Sequence, residues 1–177
     1  MPSPDPMIRA AAISRCGQYR WWLKREWDNN PAILWVMLNP ARADHERDDP
    51  TIRRVIHFSK SWGFGSATVV NLYPFRSTIP AECRGWTVSN PKIVRQRMRE
   101  NDRAIVEAAR QAGAIVAAWG AVAWARERAA RLADELSRAD LRSLQCLGIT
   151  LDGSPLHPMA RGRMRVPDDR RPIPWPT

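Results

Sequence analysis

At 177 residues the chain has the length of one ordinary domain, enough to bury a hydrophobic core without disulfide or metal staples. Its 28 Lys and Arg against 18 Asp and Glu leave a formal charge of +10; nearly all the excess is arginine, whose planar fork matches phosphate, so DNA or a nucleotide is an expected partner. Cys16, Cys83 and Cys146 are too irregularly spaced for a disulfide framework or a zinc site, no run approaches the roughly 18 apolar residues of a membrane span, and no signal-peptide core is present, which together point to a reducing cytoplasm.

Residues 1 to 7, with three prolines, are expected to be loose. YRWWLKREW, 19 to 27, alternates aromatic and charged side chains as a half-exposed strand does, and DNNP after it is a turn, so 8 to 27 reads as a leading strand or hairpin. AILWVML, 32 to 38, is apolar throughout, as a strand covered on both faces must be. Asp49-Pro50 supplies a capping carboxylate and a first-turn proline, and Ile52, Val55 and Ile56 recur at helical spacing, which predicts a helix from about 50 to 61. SATVVNLYP, 66 to 74, is a second buried strand. FRSTIPAECRGWTVSN reads as a long loop, after which a helix runs from Pro91 to about Ala112. AIVAAWG, 114 to 120, is the third strand, a helix covers 123 to 139, and SLQCLGIT, 143 to 150, is the fourth strand. The remainder, rich in proline and arginine, is expected as surface coil, loosest from about 165 to 177.

Strands separated by helices predict one α/β domain: a three-layer sandwich with a central, mostly parallel four-stranded sheet. Ligands of such sheets bind at the carboxyl ends of the strands. Those ends carry Asn39-Pro40, then Asn71-Leu72-Tyr73-Pro74, then Trp119-Gly120, and, beyond the fourth strand, His157-Pro158. An amide closing an apolar strand offers both an oxygen and an NH₂ to a ligand. Each residue also has a plain structural reading: Asn before Pro starts turns, and Trp119-Gly120 suits a tight strand exit. Three histidines without regular spacing argue against a metal site, and no cofactor is expected. Asp49 is read as the helix cap. Asp44 is expected to orient Asn39 or to bond Arg53 or Arg54.

The order of these motifs resembles the uracil-DNA glycosylase superfamily. In that superfamily the first strand delivers an Asp or Asn beside a proline, the second a base-reading Asn, the third a Trp-Gly or similar turn, and the fourth is followed by His-Pro. More closely, MLNPARAD, DDPTIRR, VVNLYPFRST, END, AAWG and CLGITLDGSPLHP resemble the bacterial and phage family DUF1643, from about residue 19 to the end. The first resemblance implies a site for an extruded nucleobase. Asn39, His157 and Asp44 would be its catalytic residues, with Asn39 holding a water and His157 donating to the leaving base. Pro40, Asn71, Tyr73, Phe75, Trp119 and Gly120 would line the base site, and Arg161, Arg163 and Arg165 would grip backbone phosphate, with Met159 a wedge in the base stack. The expected activity is hydrolysis of an N-glycosidic bond. The alternative is a non-catalytic binder of a nucleotide or modified base in a phage or defence system.

Overall fold

The computed structural model describes residues 7–141 and 143–176; of the loose N-terminal stretch anticipated above, residues 1 to 6 lie outside the described residues. Among the described residues seven strands and four helices follow in the order β1 (Ile8–Ile13), β2 (Arg20–Glu26), β3 (Ala32–Met37), α1 (Pro50–Ser61), β4 (Ser66–Asn71), α2 (Pro80–Thr87), α3 (Pro91–Gln111), β5 (Ala114–Ala117), α4 (Arg126–Arg138), β6 (Leu144–Cys146) and β7 (Ile173–Pro174). They form one mixed sheet in the order β1-β2-β4-β3-β5-β6-β7. The four strands anticipated from the apolar runs, β3 to β6, are its parallel centre. The expectation of a mostly parallel four-stranded sheet is corrected, because the β1-β2 hairpin joins antiparallel to β4 and β7 joins antiparallel to β6.

The apolar run of β3 works by its period of two. Ile33, Trp35 and Met37 enter one core with Ile52, Val55 and Phe58 of α1. Leu34, Val36 and Leu38 enter the other, with Ile105 of α3 and Leu132 and Leu136 of α4. Alternate side chains of a strand face opposite sides, so only a strand covered twice must be apolar at every position. Trp35 is fully buried and donates its indole N–H to Ser59 Oγ at 3.0 Å, and Ser59 donates in turn to Val55 O at 2.7 Å. That chain satisfies a polar atom which would otherwise cost about 1–3 kcal/mol. The ring stacks on Trp62 at 5.4 Å.

Helix α1 begins where the sequence predicts: Asp49 caps it, accepting from Ile52 N at 2.9 Å, and Pro50 stands in its first turn. Two segments differ from expectation. The stretch expected as a long loop contains α2, which buries only Cys83 and Trp86. The tail expected as coil packs closely. Val166 is buried, Arg54 donates to Val166 O at 2.6 Å, Trp62 donates to Arg170 O at 2.9 Å, and Trp175 N donates to Leu144 O at 2.9 Å. These bonds let β7 cover the edge of β6, where an open strand would invite pairing with another chain. Among the described residues no helix is long and apolar enough to cross a membrane.

The connections fix where a ligand would enter. From β3 the chain passes through α1 to β4 on one side, and from β5 it passes through α4 to β6 on the other. The two helices consequently pack on opposite faces, and the strand order reverses between β3 and β5, whose carboxyl ends are where open sheets of this kind bind ligands.

Candidate functional site

Asn39 stands at that reversal point, two residues beyond β3. Its Nδ2 donates to Ser77 O at 2.8 Å, and more weakly to Pro40 O at 3.3 Å and Phe75 O at 3.4 Å. Three carbonyls around one NH₂ settle which way the amide faces, since a flipped amide would set oxygen against oxygen. Asn39 Oδ1 has no partner among the described residues and the side chain is half-buried. It is therefore a fixed acceptor facing away from the loop that holds it. Pro40 is buried, and its carbonyl also accepts from Ser77 N at 2.9 Å.

His157 belongs to the same rim. A Cβ built on Gly120, just past β5, would lie 3.4 Å from His157 Cβ, and β5 is the neighbour of β3. The ring is oriented by the backbone: Met159 N donates to His157 Nδ1 at 3.0 Å. A neutral imidazole that accepts at Nδ1 carries its proton on Nε2, so the free edge is a donor. Burial lowers the pKa of the ring and outweighs the opposing pull of Asp49, so the neutral form holds at pH 7. The linkage sign follows from a folded pKa below the unfolded value of about 6.5: the unfolded chain takes the proton first, and stability falls as the pH drops through the window below about 6.5. Melting curves between pH 8 and pH 5 should show a larger acid loss for the native chain than for His157→Gln; equal losses would count against a half-buried neutral ring.

Gly120 has φ of +81°. An L side chain there is strained by about 1–2 kcal/mol, and its Cβ would come into van der Waals contact with His157. Gly120→Ala should lower stability by that amount in chemical denaturation and displace the His157 ring signals. Trp119 is buried and meets Trp175 edge-on at 5.0 Å, so it shapes the wall from behind.

Asn71 closes β4 on the other side of β3 and is buried, 1% exposed. Its Oδ1 accepts from Arg20 at 3.3 Å, and its backbone carbonyl accepts from Asn101 Nδ2 at 2.8 Å. The neighbouring Leu72 O accepts from Arg128, which is ion-paired to Asp102. The END stretch of α3 thus fastens the end of β4. Tyr73 is buried against Trp124, ring centroids 5.2 Å apart, and desolvation pushes its hydroxyl up to about 12. Phe75 stacks on Trp86 at 5.6 Å and meets Tyr19 at 6.2 Å.

The acidic loop divides its work. Asp44 Oδ1 accepts from Glu46 N and Arg47 N at 2.8 and 2.9 Å, bonds that lower its pKa. The expected bonds from Asp44 to Asn39, Arg53 or Arg54 are not made: Arg53 donates to Asp48 O, and Arg54 pairs with Asp168. Asp48 neutralises Arg25, 1% exposed, at 2.7 Å and also takes Arg9 at 2.5 Å. Asp49 caps α1, and its charge acts on both His157 and Arg20.

Arg20 is the residue that sequence reasoning missed. It is 2% exposed, donates to Ala43 O at 2.9 Å and to Asn71, and has no ion pair and a buried Nε without a partner among the described residues. Desolvation pushes its pKa down to about 10, against the pull of Asp49. It ties the start of β2 to the end of β4 and to the acidic loop. Arg161, Arg163 and Arg165 are all exposed in the segment after His157, where Met159 is 37% exposed.

The rim therefore brings together, on adjacent strand ends, a fixed amide acceptor from β3 and an oriented imidazole donor beside β5, with the Asn71–Arg20 pair at β4. Searches among curated proteins and among solved structures give no match. A family model described as "Protein of unknown function (DUF1643)" matches residues 20–159, a span that takes in β2 to β6, the acidic loop, Asn39, Asn71, Gly120 and His157, and the chain belongs to that family.

Proposed function

We propose that the rim receives an extruded or modified nucleobase and that the protein hydrolyses its N-glycosidic bond, in a uracil-DNA glycosylase-like fold. The observation that carries this reading is the pairing of opposite hydrogen-bonding characters at one rim: Asn39 Oδ1 can only accept, and the free edge of neutral His157 donates. Cleavage passes through an oxocarbenium-like sugar and needs a placed water and a stabilised leaving base. Asn39 Oδ1 would hold the water that attacks C1′. As the C1′–N bond breaks, the electron pair leaves with the base, whose developing anion accepts from His157 Nε2–H. An amide takes up no proton, so the water's proton passes to solvent or to the base. Pro40, Trp119 and Gly120 form the wall, and Arg161, Arg163 and Arg165 supply cations for phosphate. Tyr73 and Phe75, packed on tryptophans, act through the shape of the β4 end rather than by free stacking. The direct test is abasic-site formation on oligonucleotides carrying uracil, hypoxanthine, mismatched thymine or modified pyrimidines. Release from one of them, abolished in His157→Ala, supports the reading; no release from any of them refutes it.

A second reading rests on a specific residue choice. With an amide rather than a carboxylate at position 39, the same rim can hold a nucleotide or modified base without turnover, as a phage or defence protein would. That reading expects base binding lost in Asn39→Ala with no product from the native chain.

A further inference from the structure

We propose that the outward face of α3 is a docking surface for a nucleic-acid phosphodiester backbone. Lys92, Arg95, Arg99 and Arg103 are all exposed and border one shallow surface groove with Gln96 and Glu100. At 100° per residue they fall within an arc of about 80°, on the side of the helix away from buried Asn101, Ile105 and Ala109. None of the four has an ion pair or a side-chain hydrogen bond among the described residues. The nearby carboxylates are already engaged, Glu100 by Arg97 and Gln96, and Glu107 by Arg110 and Gln111.

Local stability gives no reason for this arrangement. Arg95, Arg99 and Arg103 stand four residues apart, and like charges at that spacing weaken a helix. Mixed signs would solvate the face as well. An unneutralised row of cations is what a polyanion requires. From Lys92 to Arg103 the row covers about 16 Å of helix, over which one strand of a duplex presents about five phosphates.

Its position suits the rim. Asn101 Nδ2 bonds Asn71 O and Leu72 O at the carboxyl end of β4, whereas Gly113 N bonds Ala32 O at the amino end of β3. Helix α3 therefore runs back along the sheet, and the first ten residues of the helix, before Asn101, rise past the rim on which Asn39 and His157 stand. The inference deepens the proposed function by naming where the polymer lies, and it rests on that reading only for the polymer's purpose.

The test is fluorescence anisotropy with a labelled 20-base-pair DNA duplex of ordinary bases, from 50 to 300 mM salt, comparing the native chain with Arg95→Gln/Arg99→Gln/Arg103→Gln. Glutamine forms helix about as well as arginine, so circular dichroism and Tm should be unchanged. The native chain is expected to bind with a steep salt dependence. The triple variant should lose on the order of 10²-fold at 0.1 M salt, with a log–log slope shallower by about three. Equal binding by native chain and variant, no binding by the native chain, or binding only to vesicles of phosphatidylserine and phosphatidylcholine would each overturn the proposal. The two readings fail separately: duplex binding by the native chain without base release from any modified oligonucleotide faults only the chemistry assigned to the rim, and unchanged duplex binding in the triple variant faults only the docking surface on α3.

Discussion

Replacing Asp48 by alanine is expected to destabilise the fold by about 3–5 kcal/mol, the usual cost of leaving one partner of a buried ion pair behind. Arg25 is 1% exposed and Asp48 is mostly buried, so solvent screens their 2.7 Å contact little. The other acceptors of Arg25 are neutral carbonyls: Lys24 O at 2.9 Å, Asp44 O at 2.5 Å and Arg47 O at 3.3 Å. They orient the guanidinium without neutralising it. Removing the carboxylate therefore strands a charge between β2 and the loop that leads from Asn39 to the cap of α1. Urea unfolding gives the number directly. A loss below about 1 kcal/mol, typical of an exposed pair, would mean that water reaches Arg25. The double variant Asp48→Ala/Arg25→Met should recover much of the loss, because no charge is then left buried.

The second large effect belongs to Asn39. On the base-release reading, Asn39→Ala should slow abasic-site formation by roughly 10²- to 10⁴-fold, the range for losing a group that activates or places the attacking water. Asn39→Asp separates chemistry from geometry. A carboxylate is the better base, but it lacks the NH₂ that Ser77 O, Phe75 O and Pro40 O accept. Setting a carboxylate against those carbonyls leaves the half-buried Ser77 O and Phe75 O without the amide donor, at about 1–3 kcal/mol. Asn39→Asp is thus expected to be less stable and no faster than the native chain; a faster variant at unchanged Tm would show that the 75–77 loop does not hold the amide. Single-turnover assays beside thermal melts distinguish these outcomes.

The central strands were legible because β3 is covered on both faces and leaves an unbroken apolar run, and α1 because Asp49-Pro50 states its own start. Helix α2 was not: eight residues with Gly85 inside and two buried side chains leave no helical period. Strand β7 was hidden because it is two residues long and contains a proline. For residues 8 to 27 the sequence left a leading strand or a hairpin open, and the structure has the hairpin. RWWLKRE reads as a half-exposed strand, and its buried positions are Arg20, Leu23 and Arg25, with Trp21 and Trp22 half-buried. What buries the arginines is distant in the chain: Asp48 for Arg25, Ala43 and Asn71 for Arg20. No local pattern encodes such partners.

At the rim, residue types were readable but hydrogen-bonding roles were not. Asn39 and Asn71 look alike in sequence, each closing an apolar strand. Their surroundings separate them: loop 75–77 takes the NH₂ of Asn39 and leaves its oxygen free, and Arg20 takes the oxygen of Asn71. The acidic residues at 44, 48 and 49 likewise resemble a cluster in sequence and serve a turn, a buried arginine and a helix cap in the fold.

A crystal of the protein with a short duplex containing an abasic site, soaked with free nucleobases, tests the use of this rim most directly. A base seated between the carboxyl ends of β3 and β5, accepting from His157 Nε2 at hydrogen-bond distance with a water on Asn39 Oδ1, is the expected result. A base bound elsewhere, or none with the duplex in place, would contradict it.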